Sequence, residues 1–233
     1  MKPGDDIQAF RGRSASRATA SVETTQFDPN AQIVDSRIAT AIWEMTRLKT
    51  PESVAAVAAL ASEPVPGVRV VPFVAPAFCS KLIEAADARG AYAPDPDDPH
   101  PGQELSLLFD PAMASAWAPA IQALFTYVMR PLIACCYDGF AVDHVRDSFV
   151  IRYSMDGQRS MGIHFDEASD VSAAVALNDA FAGGGVNFPR YNWSTRNVPV
   201  GYAVLFPGRV THAHEALPIT DGVRYSMTWW MRG

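Results

Sequence analysis

The stretch "SFVIRYSMDGQRSMGIHFDEAS", residues 148–169, contains two β-prone runs separated by a turn-forming segment around Gly157. Short runs of β-branched and aromatic residues bounded by Asp, Gly and Ser are typical of strands. Further runs of this kind follow at residues 171–178, 183–191, 201–208, 209–214 and 223–231. Many short strands with frequent turns indicate a β-sandwich or β-barrel. We therefore predict a β core over about residues 140–233.

Helix-forming patterns come before this β core. Four stretches have the periodicity and the punctuation by Pro, Gly and Asp that are typical of successive helices. The predicted N-caps are Ser36, Thr50 and Asp110, the third helix ends at Gly90, and the fourth is predicted to stop before Pro131. Helices followed by short strands predict an α+β fold in which N-terminal helices support the β core.

Composition and charge exclude several classes of protein. The net charge is −6 and the pI about 5.3, so the chain lacks the basic footprint of a nucleic-acid-binding protein. No apolar run approaches the length of a membrane span. The three cysteines form no C-x-x-C motif, and the N-terminus lacks the apolar core of a secretion signal. We expect a cytoplasmic protein that contacts neither nucleic acid nor membrane; the sequence leaves its oligomeric state open.

The second β-prone run contains "HFD", with His164 and Asp166 two residues apart. Residues two apart in a strand point to the same face, so one imidazole and one carboxylate project together. His214, 50 residues later, ends another strand-like run and supplies a third candidate ligand. Two histidines and one carboxylate form the facial triad of non-haem Fe(II) oxygenases. We therefore assign His164, Asp166 and His214 as metal ligands and as the catalytic centre.

A second histidine, His212, competes with His214 for this role because it lies two residues earlier. The segment "EALPITDGV", residues 215–223, reads as a turn into a returning strand that brings Arg224 back toward the metal. This geometry favours His214 as the ligand and places His212 on the neighbouring wall or behind a ligand. A packed or solvent-touching His212 without a catalytic role is at least as good an interpretation.

The last run, "RYSMTWWM", places Arg224 and Ser226 on the same face of a strand. An arginine that points into an apolar barrel is costly unless an anion meets it. The guanidinium fork matches a carboxylate, and the Ser226 hydroxyl can donate to the same group. The pair predicts a site for the far carboxylate of a dicarboxylate co-substrate. An ion pair between Arg224 and a protein carboxylate is the alternative.

Together these motifs resemble the 2-oxoglutarate/Fe(II)-dependent dioxygenases. The segments "FVIRYS", "HFDEAS…VALND", "FAGGGVNFPRYN" and "PGRVTHAHEALPITDGVRY" are similar to the catalytic domain of the lysyl hydroxylase (procollagen-lysine) group and its prolyl 4-hydroxylase relatives, over about residues 145–231. The resemblance implies a double-stranded β-helix, or jelly-roll, core. It also implies Fe(II) on the triad, Arg224 as the residue that holds 2-oxoglutarate, and Tyr153 as a residue lining the same pocket.

The resemblance further implies a reaction and an organisation of the chain. We expect a hydroxylase that uses Fe(II), 2-oxoglutarate and O2, with ascorbate as a candidate additional cofactor, to hydroxylate an unactivated C–H bond and release succinate and CO2. The substrate stays open among a peptidyl lysine or proline, a free amino acid and a small metabolite. The expected parts are a flexible tail (residues 1–30), a helical extension (31–65) and the dioxygenase domain (66–233).

Two other functions remain open at this stage. A cupin-like metalloenzyme with zinc or manganese would not need Arg224 and Ser226 as a carboxylate clamp. A non-catalytic ligand-binding barrel would have to bear the desolvation cost of buried His and Asp side chains without a metal. One position also departs from the lysyl hydroxylases, because they carry an asparagine that reaches toward the co-substrate where this chain has Ala173 and Ala174.

Overall fold

Two β-sheets and a layer of helices make up the part of the chain that the computed structural model describes, residues 33–94, 102–138 and 140–233. The predicted flexible tail, residues 1–30, lies outside the described residues. The described helices are α1 Ser36–Leu48, α2 Pro51–Ala59, α3 Pro76–Arg89, α4 Pro111–Leu124 and α5 Arg130–Cys136. The described strands are β1 Ser62–Val65, β2 Val68–Pro72, β3 Glu104–Ser106, β4 His144–Ser154, β5 Met161–His164, β6 Val171–Ala176, β7 Phe181–Gly183, β8 Val186–Phe188, β9 Trp193–Ser194, β10 Tyr202–Pro207, β11 His214–Ala216 and β12 Ile219–Arg232.

The larger sheet is antiparallel and follows the order β1-β2-β10-β6-β12-β4-β3, with β7 paired to the start of β12. Its longest ladder joins β12 to β4, in register from Val223 opposite Ser154 to Trp230 opposite Asp147. A shift after Trp230 carries the pairing on to the end of β12. These two strands carry Tyr153, Arg224 and Ser226, which are discussed below.

The smaller sheet follows the order β5-β11-β8-β9 and faces the larger one. The cavity between the sheets is lined by residues of both, such as Ile151 of β4 and Val186 of β8. Val68 of β2, Phe206 of β10 and Phe188 of β8 pack together across the same gap. Two facing antiparallel sheets with supporting helices confirm the predicted α+β fold and its jelly-roll core.

Helices cover the other face of the larger sheet. Leu82 of α3 and Leu124 of α4 belong to one apolar cluster with Met227 and Trp229 of β12. Phe73, which follows β2, meets Trp229 edge-on, with ring centroids 5.8 Å apart. The larger sheet is therefore covered on both faces, by the helices on one side and by the smaller sheet on the other.

Strand β12 shows how alternation in the sequence divides these two faces. Met227, Trp229 and Met231 are fully buried on the helical side. Ser226 and Thr228 line the cavity on the other side. The predicted period-two pattern of this strand is confirmed.

One predicted helix cap is wrong. The structure confirms the boundaries predicted at Thr50, Gly90 and Asp110. Helix α1, however, is capped by Asp35 and not by Ser36. The Asp35 carboxylate accepts from the backbone N–H of Arg37 and is held by the Arg37 guanidinium at 2.7 Å. That ion pair fixes the carboxylate where it satisfies a free backbone donor, so the helix begins one residue earlier than predicted.

The helix predicted to stop before Pro131 continues to Cys136. A π-helical turn, Phe125–Met129, joins α4 to α5, and Arg130 N–H donates to the carbonyl of Phe125. Pro131 then falls in the first turn of α5, where a missing N–H is tolerated. The continuous helix Pro111–Cys136 has the length and apolar composition of a membrane span, contrary to the sequence expectation, although buried core helices share these properties.

Candidate active site

His164 and His214 are direct neighbours across the smaller sheet. They are paired residues of β5 and β11, and their ring centroids lie 4.3 Å apart. Asp166 lies two residues beyond His164, past the end of the strand. Its backbone N–H donates to the carbonyl of Gly208 over 3.1 Å, which anchors the turn that carries its side chain. The two strands and this turn position the three predicted ligands.

The ligand atoms of these residues converge on one point. Asp166 Oδ1 is 3.7 Å from His164 Nε2, and Asp166 Oδ2 is 3.8 Å from His214 Nε2. One ligand atom from each residue lies within 4.8 Å of the other two. Both distances are longer than an ordinary hydrogen bond. This arrangement suits ligands that share a single ion.

Each imidazole is oriented from behind by a backbone carbonyl. Nδ1 of His164 lies 2.8 Å from the carbonyl oxygen of Gly162, and Nδ1 of His214 lies 3.1 Å from that of His212. A carbonyl only accepts, so Nδ1 donates in both rings, and in a neutral ring Nε2 then presents its lone pair toward Asp166. Burial lowers the pKa of His214, which favours the neutral ring that metals bind.

The Asp166 carboxylate indicates that a cation belongs at this point. Its side chain is 4% exposed, and Oδ2 has no hydrogen-bond partner within the described part of the chain. A buried carboxylate oxygen is costly unless a charge or donor meets it. Two neutral imidazoles and one carboxylate are the donor set of non-haem Fe(II) sites. The residues present therefore fit iron.

Arg224 lies in the same cavity and is deeply buried. It is 7% exposed, and no described Asp or Glu side chain lies within 4.0 Å of its guanidinium. Burial lowers the pKa of Arg224, but an arginine starts from so high a value that it stays charged near neutrality. The alternative of an ion pair with a protein carboxylate is not what the described residues show. A buried guanidinium without such a partner is able to receive an external carboxylate.

Tyr153 and Ser226 flank Arg224 on the cavity wall. Tyr153 is the cross-strand partner of Arg224, and Ser226 lies two residues along the same face. The Ser226 hydroxyl makes a long bond of 3.4 Å to the carbonyl of Val175, which leaves it able to turn toward a ligand. Tyr153, Ser226, Arg224 and the three candidate ligands therefore line one cavity between the two sheets.

Ala174 occupies the wall beside Arg224. It lines the main cavity and also a neighbouring one on the other side of Arg224. Ala174 is one of the two alanines at which the sequence departs from the asparagine that the family resemblance implies. An alanine offers no hydrogen bond to a co-substrate and leaves space next to the guanidinium.

His212 does not join the triad. Its Nε2 lies 2.9 Å from the carbonyl of Pro66 and its Nδ1 lies 2.8 Å from the hydroxyl of Thr211. The hydroxyl can donate to Nδ1 while Nε2–H donates to Pro66, so a neutral ring satisfies both contacts. Tyr191 lies alongside, with ring centroids 5.4 Å apart. The His212 side chain is packed among these neighbours. Residue 212 supports His214 through its backbone carbonyl.

Two residues of the cavity wall, Glu104 and Trp230, were not predicted from the sequence. Trp230 continues the alternation of Arg224, Ser226 and Thr228 by one step, so extending that pattern would have found it. Glu104 lies in a segment that prolines and aspartates marked as a loop. Its three-residue strand, β3, is too short to have a periodic signal of its own.

Sequence comparison relates the chain to collagen-modifying enzymes. No family model matches it. It is 35% identical over 172 residues to the "Multifunctional procollagen lysine hydroxylase and glycosyltransferase" of Caenorhabditis elegans, and 32% identical over 184 residues to "Procollagen-lysine,2-oxoglutarate 5-dioxygenase 2" of Homo sapiens. The alignments cover 70% and 71% of this chain but 23% and 24% of those proteins. The chain thus spans about a quarter of the length of the curated relatives it matches.

Structure comparison identifies the same fold in solved proteins. A prolyl-4-hydroxylase of Pseudomonas putida has a TM-score of 0.52 and 16% identity, covering 84% of this chain and 98% of that one. An oxidoreductase of the 2OG-Fe(II) oxygenase family from Burkholderia pseudomallei has a TM-score of 0.54 and 18% identity, covering 77% and 90%. These matches show the fold, and the sequence relatives confirm the suspected family. The chain belongs to the 2-oxoglutarate/Fe(II)-dependent dioxygenases and is similar, within them, to the procollagen lysyl hydroxylases.

Proposed function

We propose that this protein is a 2-oxoglutarate- and Fe(II)-dependent dioxygenase that hydroxylates an unactivated C–H bond and releases succinate and CO2. One observation carries the proposal: a convergent His–Asp–His set shares a cavity with a buried arginine that has no protein carboxylate. The set suits ferrous iron, and the arginine suits a dicarboxylate. A facial triad alone would leave the co-substrate open, whereas the two features together specify it.

The residues have separate tasks in this reaction. His164, Asp166 and His214 would hold the iron, which when bound supplies the activation of O2. Arg224 would grip the far carboxylate of 2-oxoglutarate through its planar fork, and Ser226 would add one hydrogen bond. Tyr153, Phe206 and the other apolar residues of the wall exclude water from the space between the two groups.

The substrate that we propose is an amino-acid or peptidyl side chain, with a small metabolite as the broader possibility. Support comes from the relatives, whose names specify procollagen lysine, and from the cavity that the candidate ligands and Arg224 share. The use of ascorbate stays a prediction. We also propose a cytoplasmic location, which the free thiols of Cys79, Cys135 and Cys136 support because unpaired cysteines are usual in reducing compartments.

A turnover assay tests the proposal directly. The protein is loaded with Fe(II) without oxygen, given 2-oxoglutarate and air, and tested against lysyl and prolyl peptides and free amino acids. We expect succinate formation that depends on one of these substrates, with a product heavier by one oxygen. Asp166→Asn should abolish both succinate formation and the oxygenated product. Asp221→Asn makes the same chemical change at an exposed position and should leave both unchanged. Iron binding without succinate from any substrate would contradict the proposal.

A cupin-like metalloenzyme remains the second candidate, because zinc or manganese also binds two histidines and a carboxylate. The two candidates differ at Arg224. An enzyme that does not use 2-oxoglutarate should keep its turnover in the Arg224→Ala variant, whereas the proposed dioxygenase should lose it.

A further inference from the structure

Strand β12 lacks a strand partner on one edge at the position of Arg224. Its ladder with β6 ends at Ser226, and its ladder with β7 ends at Gly222. Among the described ladders, the three residues in between, 223–225, pair only with β4 on the opposite edge. Backbone groups on the unpaired edge need other partners, because a buried polar group without one is costly. Without them, this part of the strand would be free to shift where it carries the guanidinium.

The side chain of Asn178 fills this gap. Its Nδ2 donates to the carbonyl of Val223 over 2.7 Å, and its Oδ1 accepts from the backbone N–H of Tyr225 over 2.9 Å. An N–H only donates and a carbonyl only accepts, so these two contacts determine the orientation of the amide. The side-chain carboxamide thus takes the place of a peptide group and continues the ladder by one step. Its two bonds hold the main chain on both sides of Arg224.

The chain holds Asn178 itself close to β12. Asn178 lies two residues past the end of β6, and the backbone N–H of Leu177 donates to the carbonyl of Tyr225 over 3.2 Å. Asn178 and Arg224 line the same neighbouring cavity. Both printed hydrogen bonds of the amide go to the main chain of β12. Asn178 therefore acts on a bound diacid through the residue that lies between those two bonds.

We propose that Asn178 is a positioning residue, which places the Arg224 guanidinium for the far carboxylate of 2-oxoglutarate. The inference rests on the proposed function and deepens it, because it adds a residue that supports the co-substrate site without touching the co-substrate. A paired guanidinium–carboxylate contact needs its groups placed to within about 0.5 Å. Loss of the two amide bonds would let this part of β12 shift, and the carboxylate would meet a displaced guanidinium.

Binding without turnover tests this inference with two matched ligands. 2-Oxovalerate has the chain length and the keto-acid end of 2-oxoglutarate, but a methyl group replaces the far carboxylate. The protein is loaded with Mn(II) under nitrogen, and calorimetry measures both ligands, the weaker one by displacement. Asn178→Ala should weaken the binding of 2-oxoglutarate by at least about fivefold and leave that of 2-oxovalerate unchanged. Asn197→Ala, at an exposed position, is the matched control and should change neither.

A double-mutant cycle tests whether Asn178 acts through Arg224. In an Arg224→Ala background, the further change Asn178→Ala should not alter the affinity for 2-oxoglutarate, because the group that Asn178 positions is gone. Asn178→Gln keeps a neutral amide but moves it one bond further along the side chain, so we expect a smaller loss of the same kind. This milder variant carries the test if the alanine variant does not fold, which thermal unfolding with and without Mn(II) establishes.

The outcomes separate this inference from the proposed function. Native affinity for 2-oxoglutarate in Asn178→Ala, equal weakening of both ligands, or an additive loss in the Arg224→Ala background would each overturn the role of Asn178. The proposed function would fail in a different way. The native protein would then not bind 2-oxoglutarate, or Arg224→Ala would bind it as tightly as the native protein does.

Discussion

Arg224 and Tyr153 face each other directly across β12 and β4, and the guanidinium carbon lies 4.9 Å from the centre of the phenol ring. The ring face attracts the cation and compensates part of its desolvation without occupying a carboxylate site. Tyr153 thus stabilises a buried charge through its ring face, and its hydroxyl also interacts with the guanidinium. Neither contact places a protein carboxylate on Arg224.

Replacing Arg224 by alanine should raise the KM for 2-oxoglutarate by at least about thirtyfold, because a desolvated charge-assisted pair is typically worth 2 kcal/mol or more. Lysine at this position should recover only part of the loss, since a point charge cannot donate the paired bonds of a guanidinium. Steady-state kinetics with varied 2-oxoglutarate measures the effect. Arg47→Ala, an exposed change on α1, is the control. Unchanged kinetics in Arg224→Ala would contradict the assigned role.

Replacing Tyr153 by leucine should raise the same KM by roughly tenfold, because the ring face that stabilises Arg224 is lost. Phenylalanine keeps the ring but loses the hydroxyl that interacts with Arg224, so its KM should lie between those of the native protein and the leucine variant. Kinetics and calorimetry with 2-oxoglutarate distinguish the two variants. If phenylalanine were as poor as leucine, the hydroxyl and not the ring face would be the important group.

Replacing Asp166 by asparagine should abolish stabilisation by metal and leave the metal-free fold intact. The Oδ2 atom has no described hydrogen-bond partner to lose, so the metal-free protein should be as stable as the native one or more stable. Ligand at about one hundred times its Kd adds about 2.7 kcal/mol to the native protein, and the variant should lack this gain. Thermal unfolding with and without Mn(II) measures both. A variant that unfolds without metal would show a structural role instead.

Replacing His212 by alanine should lower the free energy of unfolding by about 1–3 kcal/mol, since the carbonyl of Pro66 loses its buried donor. Iron affinity should fall by less than the roughly tenfold expected when a ligand-orienting side chain is removed. The bond to His214 comes from the backbone carbonyl of residue 212, which the substitution keeps. Chemical denaturation and metal titration separate the two effects, and a large loss of iron affinity would contradict this assignment.

Gly67 offers an independent check on that packing. Its φ is +78°, and an added methyl group would lie 2.8 Å from the His212 ring. Gly67→Ala should therefore destabilise the fold by a similar amount without altering any candidate ligand. A neutral result would show that the His212 ring is free to move.

The three residues of the triad could be predicted from the sequence, but one of the arguments for them does not hold in the structure. His164 lies in a strand as the alternation required, but Asp166 lies just past its end, and its orientation comes from the bond to Gly208. The choice of His214 over His212 depended on the returning strand that carries Arg224. Local spacing was sufficient here because one turn and one short ladder determine the geometry.

Other features needed tertiary information. The extension of the last helix through Pro131 depends on a π-helical turn that no sequence periodicity announces. The cap at Asp35 depends on the side chain of Arg37. Glu104 faces the cavity only because β3 pairs with β4, and that pairing joins residues 47 apart in sequence (Glu104 and Ile151). Short elements take their conformation from their partners, so their own residues carry little signal.

The pairing of His164 with His214 has a mechanical consequence. Among the described strands, β5 pairs only with β11, over a short and irregular ladder. An ion bound by both imidazoles would hold the outer strand β5 against β11. Without the ion, local unfolding should begin at this strand. The amide hydrogen exchange of residues 161–166 should therefore depend on iron occupancy under conditions in which the protein as a whole stays folded.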